Sequence, residues 1–76
     1  MNFKQCFFRI YDKKIASGEI TFSKTGISKA AFTALCTEPD FVFDEALLTK
    51  LKETMKLTDE QHDALARAAK GEDVQL

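Results

Sequence analysis

The feature that most constrains the fold is a capped turn between two short helical segments, within residues 17–35, SGEITFSKTGISKAAFTAL. Ser17 is expected to cap the first of these helices, because a serine hydroxyl can accept a hydrogen bond from a free backbone amide. Gly26 is expected to end that helix, since glycine readily takes the left-handed conformation that follows many helices. Ser28 is then placed to cap the second helix. The segment therefore predicts two short helices separated by a turn of three or four residues.

Two apolar residues around the second cap support this arrangement. Ile27 precedes the cap and Phe32 occupies the fourth helical position after it, which is the spacing of a hydrophobic staple. Two short helices joined by a glycine-containing turn form the helix-turn-helix unit, whose second helix commonly enters the major groove of DNA. Residues 17–35 therefore predict double-stranded DNA as a partner.

Length and composition indicate one small globular domain spanning residues 1–76. Hydrophobic residues make up 45% of the chain, which is enough apolar surface for collapse. A length of 76 residues is nevertheless close to the lower limit at which a hydrophobic core alone can stabilise a domain. No apolar run approaches the ~18 residues of a membrane span, and Lys4 and Arg9 interrupt any signal core. We therefore expect a cytoplasmic protein with no membrane partner.

The sequence lacks the residue patterns of catalytic and metal sites. Cys6, Cys36 and His62 are too few ligands for a structural zinc site, and both cysteines are expected to be buried free thiols. There is no glycine-rich phosphate loop, no recognisable nucleophile motif and no evident pair of catalytic carboxylates. We therefore predict no enzyme activity, no catalytic residue, no metal site and no cofactor.

The formal net charge of −1 conceals an asymmetry between the two halves of the chain. Residues 1–36 carry six Lys or Arg against two acidic residues, whereas residues 37–76 carry five against ten. Attraction to phosphate depends on the charge of the face that meets DNA rather than on the total. A basic half that contains the turn is typical of a small nucleic-acid binder, and ordinary solvated charge is the alternative explanation.

Residues 3–16 predict an amphipathic first helix. Phe3, Phe7 and Ile10 recur at helical spacing, and the segment contains neither glycine nor proline. The alternative is a β-hairpin over residues 6–22, because CFFRIY and GEITF are rich in strand-favouring residues.

Local signals also mark the end of the third helix and the start of the fourth. Pro39 requires the third helix to stop by about Thr37, because proline disfavours helical geometry in the residue before it. Both phenylalanines of the following loop, TEPDFVF, are expected to fill the core. Asp44 is a good cap for a fourth helix that continues to about Met55.

Thr58 and Gln61 have the spacing of a capping box, which predicts the start of a fifth helix. Gly71 is expected to end this helix, and the tail from about residue 72 is expected to be frayed. The narrow alanine seam of the fifth helix can pack against the first helix or against a second copy of the chain, which would form a homodimer.

Together these signals predict an all-α fold, a compact bundle of about five short helices that contains a helix-turn-helix. The alternative is an α+β fold with an N-terminal β-hairpin. The predicted core consists of Phe7, Ile27, Phe32, Leu35, Leu48, Leu51 and Leu65.

The chain resembles the Cro/C1-type (XRE-like) helix-turn-helix DNA-binding domains over roughly residues 7–71. The resemblance lies in SGEITFSKTGISKAAFTAL, and also in LKETMKLTDEQHDAL, which is similar to the junction of the fourth and fifth helices in compact repressor-like proteins. It implies a small transcriptional regulator of bacterial or phage type. The residues that the resemblance places against DNA are Ser28, Lys29, Ala30, Thr33 and Ala34.

Lys24 and Lys29 are the cations predicted to hold DNA phosphates. Lys29 occupies the first helical position after the Ser28 cap, where backbone amides and the helix dipole favour an anion, and Lys24 ends the preceding helix. No Arg, Asn or Gln on this surface can make bidentate base contacts, and Phe22 stands where the family commonly has a small residue. We expect a regulator whose DNA binding is either sequence-specific or dominated by phosphates. The lack of side chains for bidentate base contacts favours phosphates. The alternative is a protein-interaction module of the same fold, such as a phage-type inhibitor or an accessory subunit.

Overall fold

The computed structural model describes residues 1–75, and within them the chain forms five α-helices and no strand. The predicted all-α fold is therefore confirmed for this part of the chain. The alternative hairpin is wrong, because most of residues 6–22 lie in the first helix and none of them in a strand. The helices are α1 (Phe3–Ala16), α2 (Phe22–Thr25), α3 (Lys29–Thr37), α4 (Glu45–Thr54) and α5 (Asp59–Ala69).

Strong local signals at both ends explain why α1 is a helix. Asn2 caps it by accepting a hydrogen bond from the amide of Gln5 at 2.9 Å, and the Gln5 side chain accepts one from the amide of Asn2 at 3.0 Å. At the other end Gly18 has a φ of +79°, and its amide donates to the carbonyl of Ile15. The Glu19 amide donates to the Lys14 carbonyl at 3.1 Å, which completes a Schellman motif.

The predicted role of Ser17 is wrong, because Ser17 is the C-cap of α1 and not the N-cap of α2. The left-handed Gly18 ends α1 and reverses the chain, so several residues are needed before a new helix can begin. Thr21 takes the N-cap position of α2, where its side chain makes no capping hydrogen bond. This weak start helps to explain why α2 is only four residues long.

The turn between α2 and α3 is held from both sides. Gly26 is the C-cap of α2 with a φ of +77°, as predicted, and the Ser28 hydroxyl caps α3 by accepting from the Ala31 amide at 3.1 Å. Between them, the fully buried Thr25 donates its hydroxyl to the Phe22 carbonyl and accepts from the Ile27 amide. The Thr25 hydroxyl, the Phe22 carbonyl and the Ile27 amide therefore all have local hydrogen-bond partners.

The remaining helix starts are also as predicted. The Asp44 carboxylate accepts from the Leu47 amide at 2.8 Å, and Thr58 forms a capping box with Gln61. Helix α4 ends at Thr54, one residue before the predicted Met55, which is its C-cap.

One core joins all five helices and the loops between them. Six of the seven predicted core residues are buried, whereas Phe32 is only partly buried. Phe32 packs against Phe8, Tyr11 and Phe22, which are themselves only partly buried, so its ring lies at the edge of the core rather than inside it. The buried six are Phe7, Ile27, Leu35, Leu48, Leu51 and Leu65.

The C-terminal segment differs from the frayed tail predicted from about residue 72. Val74 is only 3% exposed and belongs to the core. The amino group of Met1 forms an ion pair with Asp73 and donates to the Val74 carbonyl at 2.8 Å. Residue 76, the end of the predicted tail, lies outside the described residues.

The two cysteines have different environments. Cys6 is fully buried in the core, and burial raises the pKa of its thiol. Cys36 is exposed, so the prediction of two buried thiols is wrong for this residue. Both are free thiols, as predicted.

Candidate nucleic-acid interface

The predicted DNA-binding residues lie at the surface of the segment that runs from α2 into α3. Lys24 is in the last turn of α2, and Lys29 is the first residue of α3; both are exposed. Ser28, Ala30 and Thr33 are exposed as well, whereas Ala34 is half-buried. The buried Thr25 and Ile27 therefore hold a segment whose outer side carries the predicted site.

The hydroxyl groups on this surface are partly engaged by the protein itself. The Ser28 hydroxyl oxygen accepts from the Ala31 amide, and the Thr37 hydroxyl donates to the Thr33 carbonyl at 2.9 Å. Between Ser28 and Thr37, the side-chain N–H and O–H donors without a protein partner within residues 1–75 are the Lys29 ammonium and the Thr33 hydroxyl. The polar surface of α3 is therefore suited to phosphate contacts more than to base recognition.

A third lysine, which sequence reasoning missed, lies beside the turn. The Lys50 side chain of α4 runs across Gly26: a Cβ atom built on that glycine would be 2.7 Å from Lys50 Cε and 2.8 Å from its Nζ. One helical turn further along α4, Thr54 donates its hydroxyl to the Thr25 carbonyl at 2.9 Å. This contact fixes α4 against the end of α2, so Lys50 stands next to the turn.

Lys24, Lys29 and Lys50 lie around the turn between α2 and α3, and we call them the lysine cluster. Within residues 1–75, no carboxylate oxygen lies within 4.0 Å of any of the three ammonium groups. Residues 20–37 also contain neither Asp nor Glu. Because no internal partner neutralises these ammonium groups, the lysine cluster can attract an external anion.

The basic residues of α1 are less available than the charge of the first half suggests. Lys14 is 8% exposed, and its ammonium donates to Glu19 Oε2 at 3.3 Å and to the Lys56 carbonyl at 3.1 Å. The Lys4 ammonium donates to the Cys36 carbonyl at 2.9 Å. These two cations stabilise the fold, so the charge asymmetry of the sequence overstates the basic surface.

An aromatic depression of about 310 Å³ adjoins the lysine cluster. Phe22 meets Phe32 edge to face with ring centroids 5.0 Å apart, so the large residue in α2 is accommodated by an aromatic contact with α3. Partial burial, with a smaller effect of the neighbouring Asp12 charge, raises the pKa of Tyr11 at the edge of this depression. The residues that line the aromatic depression are Tyr11, Phe22, Lys29, Phe32 and Thr33.

Two further findings concern metal-ligand clusters and membrane-spanning helices in the part of the chain that the structure describes. Residues 1–75 contain no cluster of three or more His, Cys, Asp or Glu side chains that could hold a metal ion. No helix among them is both long and apolar enough to cross a membrane.

Comparison with known proteins gives no family assignment. The sequence matches no protein-family model, and it matches neither a curated protein nor a solved structure. The resemblance to Cro/C1-type domains therefore stays a prediction.

Proposed function

We propose that this chain is a small DNA-binding transcriptional regulator that binds duplex DNA mainly through its phosphates. The observation that carries the proposal is the lysine cluster: exposed Lys24 and Lys29 lie in residues 20–37, which contain no acidic residue, and exposed Lys50 of α4 lies beside the turn between α2 and α3. The arrangement of α2, a three-residue turn and α3 supports a helix-turn-helix interpretation, in which α3 approaches the major groove.

Helix α3 would contribute to phosphate binding through its backbone as well as its side chains. Its first amides and the positive end of its dipole favour an anion, and Lys29 lies at its first position. Lys24 and Lys50 would hold neighbouring phosphates on either side. The hydrogen bonds of the buried Thr25 hold the backbone of the turn, so little reordering of the turn would be needed when DNA binds.

The sequence preference of such a complex would be modest. Arg, Asn and Gln supply most bidentate base contacts, and none of them occurs between residues 20 and 37. Specificity would then depend on Lys29, on the Thr33 hydroxyl and on the shape of the DNA.

A second candidate function is favoured by the aromatic depression. Half-exposed aromatic rings are enriched at protein–protein interfaces, and here they adjoin Lys29. The chain would in that case be a protein-interaction module, such as a phage-type inhibitor or an accessory subunit, whose partner covers the same face of α3.

The charge reversal Lys29→Glu tests the proposal, with Lys13→Glu as the matched control. Both lysines are exposed and form no ion pair within residues 1–75, so both variants should fold; the helix dipoles should slightly stabilise Lys29→Glu at the start of α3 and slightly destabilise Lys13→Glu in the last turn of α1. We expect Lys29→Glu to weaken duplex binding by about tenfold or more on every sequence, because it replaces attraction to a phosphate with repulsion. The control should have a much smaller effect.

Equal losses for the two variants would contradict the proposal, since they would show that only net charge matters. A larger loss for Lys13→Glu would move the binding surface to α1.

A further inference from the structure

The loop between α3 and α4 presents an apolar side chain surrounded by acids. Val42 is 39% exposed, and it lies between Phe41, which is partly buried, and Phe43, which is in the core. Because neighbouring side chains of an extended segment point in opposite directions, the two phenylalanines hold the loop while Val42 points outward. Four exposed acidic residues lie within four positions of Val42: Glu38, Asp40, Asp44 and Glu45.

These four carboxylates make no ion pair within residues 1–75. One of them, Asp44, also caps α4. Lys70 lines the same two surface depressions as Val42. We call Val42 with its four acidic neighbours the acidic knob. Pro39 restricts the backbone of this loop, so little further ordering is needed for the acidic knob to bind a partner.

The aromatic depression matches the acidic knob in chemical character, because it combines aromatic surface with a lysine. Its apolar surface comes from Phe22, Phe32 and Tyr11, and its rim carries Lys29. Lys24 lies close by in sequence on α2 and residues 20–37 contain no acidic residue, so the two lysines outnumber the one negative charge of Asp12 beside Tyr11. An occupant of this depression should therefore combine an apolar side chain with negative charge.

The chain itself supplies such an occupant. We infer that two copies of the chain associate by inserting the acidic knob of one copy into the aromatic depression of the other. Val42 does not line the aromatic depression of its own molecule: it lines another depression with Ala69 and Lys70 at the end of α5, whereas the aromatic depression is formed by residues of α1, α2 and α3. The contact is consequently intermolecular, with different surfaces on the two sides.

This association uses Lys29, which also belongs to the proposed DNA surface. A second copy on the aromatic depression would compete with DNA for that lysine, so self-association would oppose DNA binding. The inference does not depend on DNA binding, because the association is measured without nucleic acid. Added salt should weaken it, since exposed charges on both sides are screened.

The parent chain can report on this contact without a label. Tyr11 is the only tyrosine and the chain has no tryptophan, so the intrinsic emission comes from the rim of the aromatic depression. Sedimentation velocity over a wide range of protein concentration should show association at low salt. The Tyr11 emission should change over the same range.

The substitution Val42→Asp should abolish both signals, because it puts another charge where an apolar side chain is needed. Ile15→Asp is the matched control, since Ile15 is 38% exposed and lies outside both surfaces. The control should associate like the parent. Both variants should melt close to the parent temperature. This would show that the loss of association and of the emission change in Val42→Asp does not come from unfolding.

A mixing experiment tests that the two surfaces belong to different copies. Lys29→Glu damages the depression and keeps the acidic knob, whereas Val42→Asp damages the acidic knob and keeps the depression. Each variant alone should be monomeric, and an equal mixture should form a one-to-one complex with a changed Tyr11 emission. A parent that is monomeric at all concentrations would overturn the inference and leave the proposed function intact. Association of Val42→Asp alone, or a mixture that stays monomeric, would overturn it as well.

Discussion

The difference between Phe7 and Phe32 provides a quantitative test of the core. Phe7 is fully buried, and its ring meets Phe8 and Phe43 edge to face at centroid distances of 5.3 Å. Phe32 packs at the edge of the core and is partly exposed. Truncation of the two rings should therefore have clearly different costs, although both residues are phenylalanines in helices.

The expected costs follow from burial. Phe7→Ala removes a fully enclosed ring, which typically lowers the free energy of unfolding by about 3–5 kcal/mol. A domain of this length is expected to have only about 4–11 kcal/mol of stability, so this variant should be close to unfolded. Phe32→Ala removes a ring that is only partly buried at the edge of the core, and we expect a smaller loss of about 1.5–2.5 kcal/mol.

Urea denaturation followed by far-ultraviolet circular dichroism measures both changes. Phe7→Leu, which keeps most of the apolar volume and should cost about 1–2 kcal/mol, provides a folded variant at the same position if Phe7→Ala does not fold. Equal losses for Phe7→Ala and Phe32→Ala would refute the reasoning, because they would require Phe32 to be as enclosed as Phe7. A loss below about 1 kcal/mol for Phe7→Ala would refute the placement of α1 in the core.

Three further predictions concern local features. Lys56 has a φ of +53° after the end of α4, so Lys56→Gly should raise the free energy of unfolding by about 0.5–1 kcal/mol, measured by urea denaturation; a decrease would contradict this conformation. A chromogenic thiol reagent should modify the exposed Cys36 rapidly and the buried Cys6 only on unfolding, and two equally fast thiols would contradict the structure. A hydrogen bond from Lys52 at 2.7 Å, together with its charge, lowers the pKa of Asp59 below its ordinary value of 3.8. Its contribution to stability should be present above that value and lost as pH falls through the lowered pKa, so Lys52→Met should flatten the acid side of the stability profile, and an unchanged profile would contradict the ion pair.

The features that could be predicted from the sequence are those that depend on neighbouring residues. The caps Ser28, Asp44 and Thr58 follow from a hydroxyl or carboxylate three positions before a free amide, and the structure contains all three hydrogen bonds. Helix α1 also has the predicted bounds, because its apolar spacing extends without interruption to the left-handed Gly18. These signals need no knowledge of how the helices pack.

The features that were missed depend on packing between distant parts of the chain. Lys50 reaches the turn because α4 lies against α2, which no local pattern indicates. Val74 is buried because its segment meets the start of the chain, where its amide donates to the Met1 carbonyl. Phe32 has the spacing of a buried staple residue, yet its packing partners lie at the surface.

The salt dependence of duplex binding tests the central claim most directly. For a binder dominated by phosphate contacts, the logarithm of the association constant falls with the logarithm of salt concentration, with a slope of about −0.9 for each phosphate neutralised. Replacement of Lys24, Lys29 and Lys50 by alanine should flatten this slope by about three contacts, whereas Lys13→Ala should leave it close to the parent value. An unchanged slope in the triple variant, or no binding by the parent at low salt, would contradict the claim that this lysine cluster holds DNA.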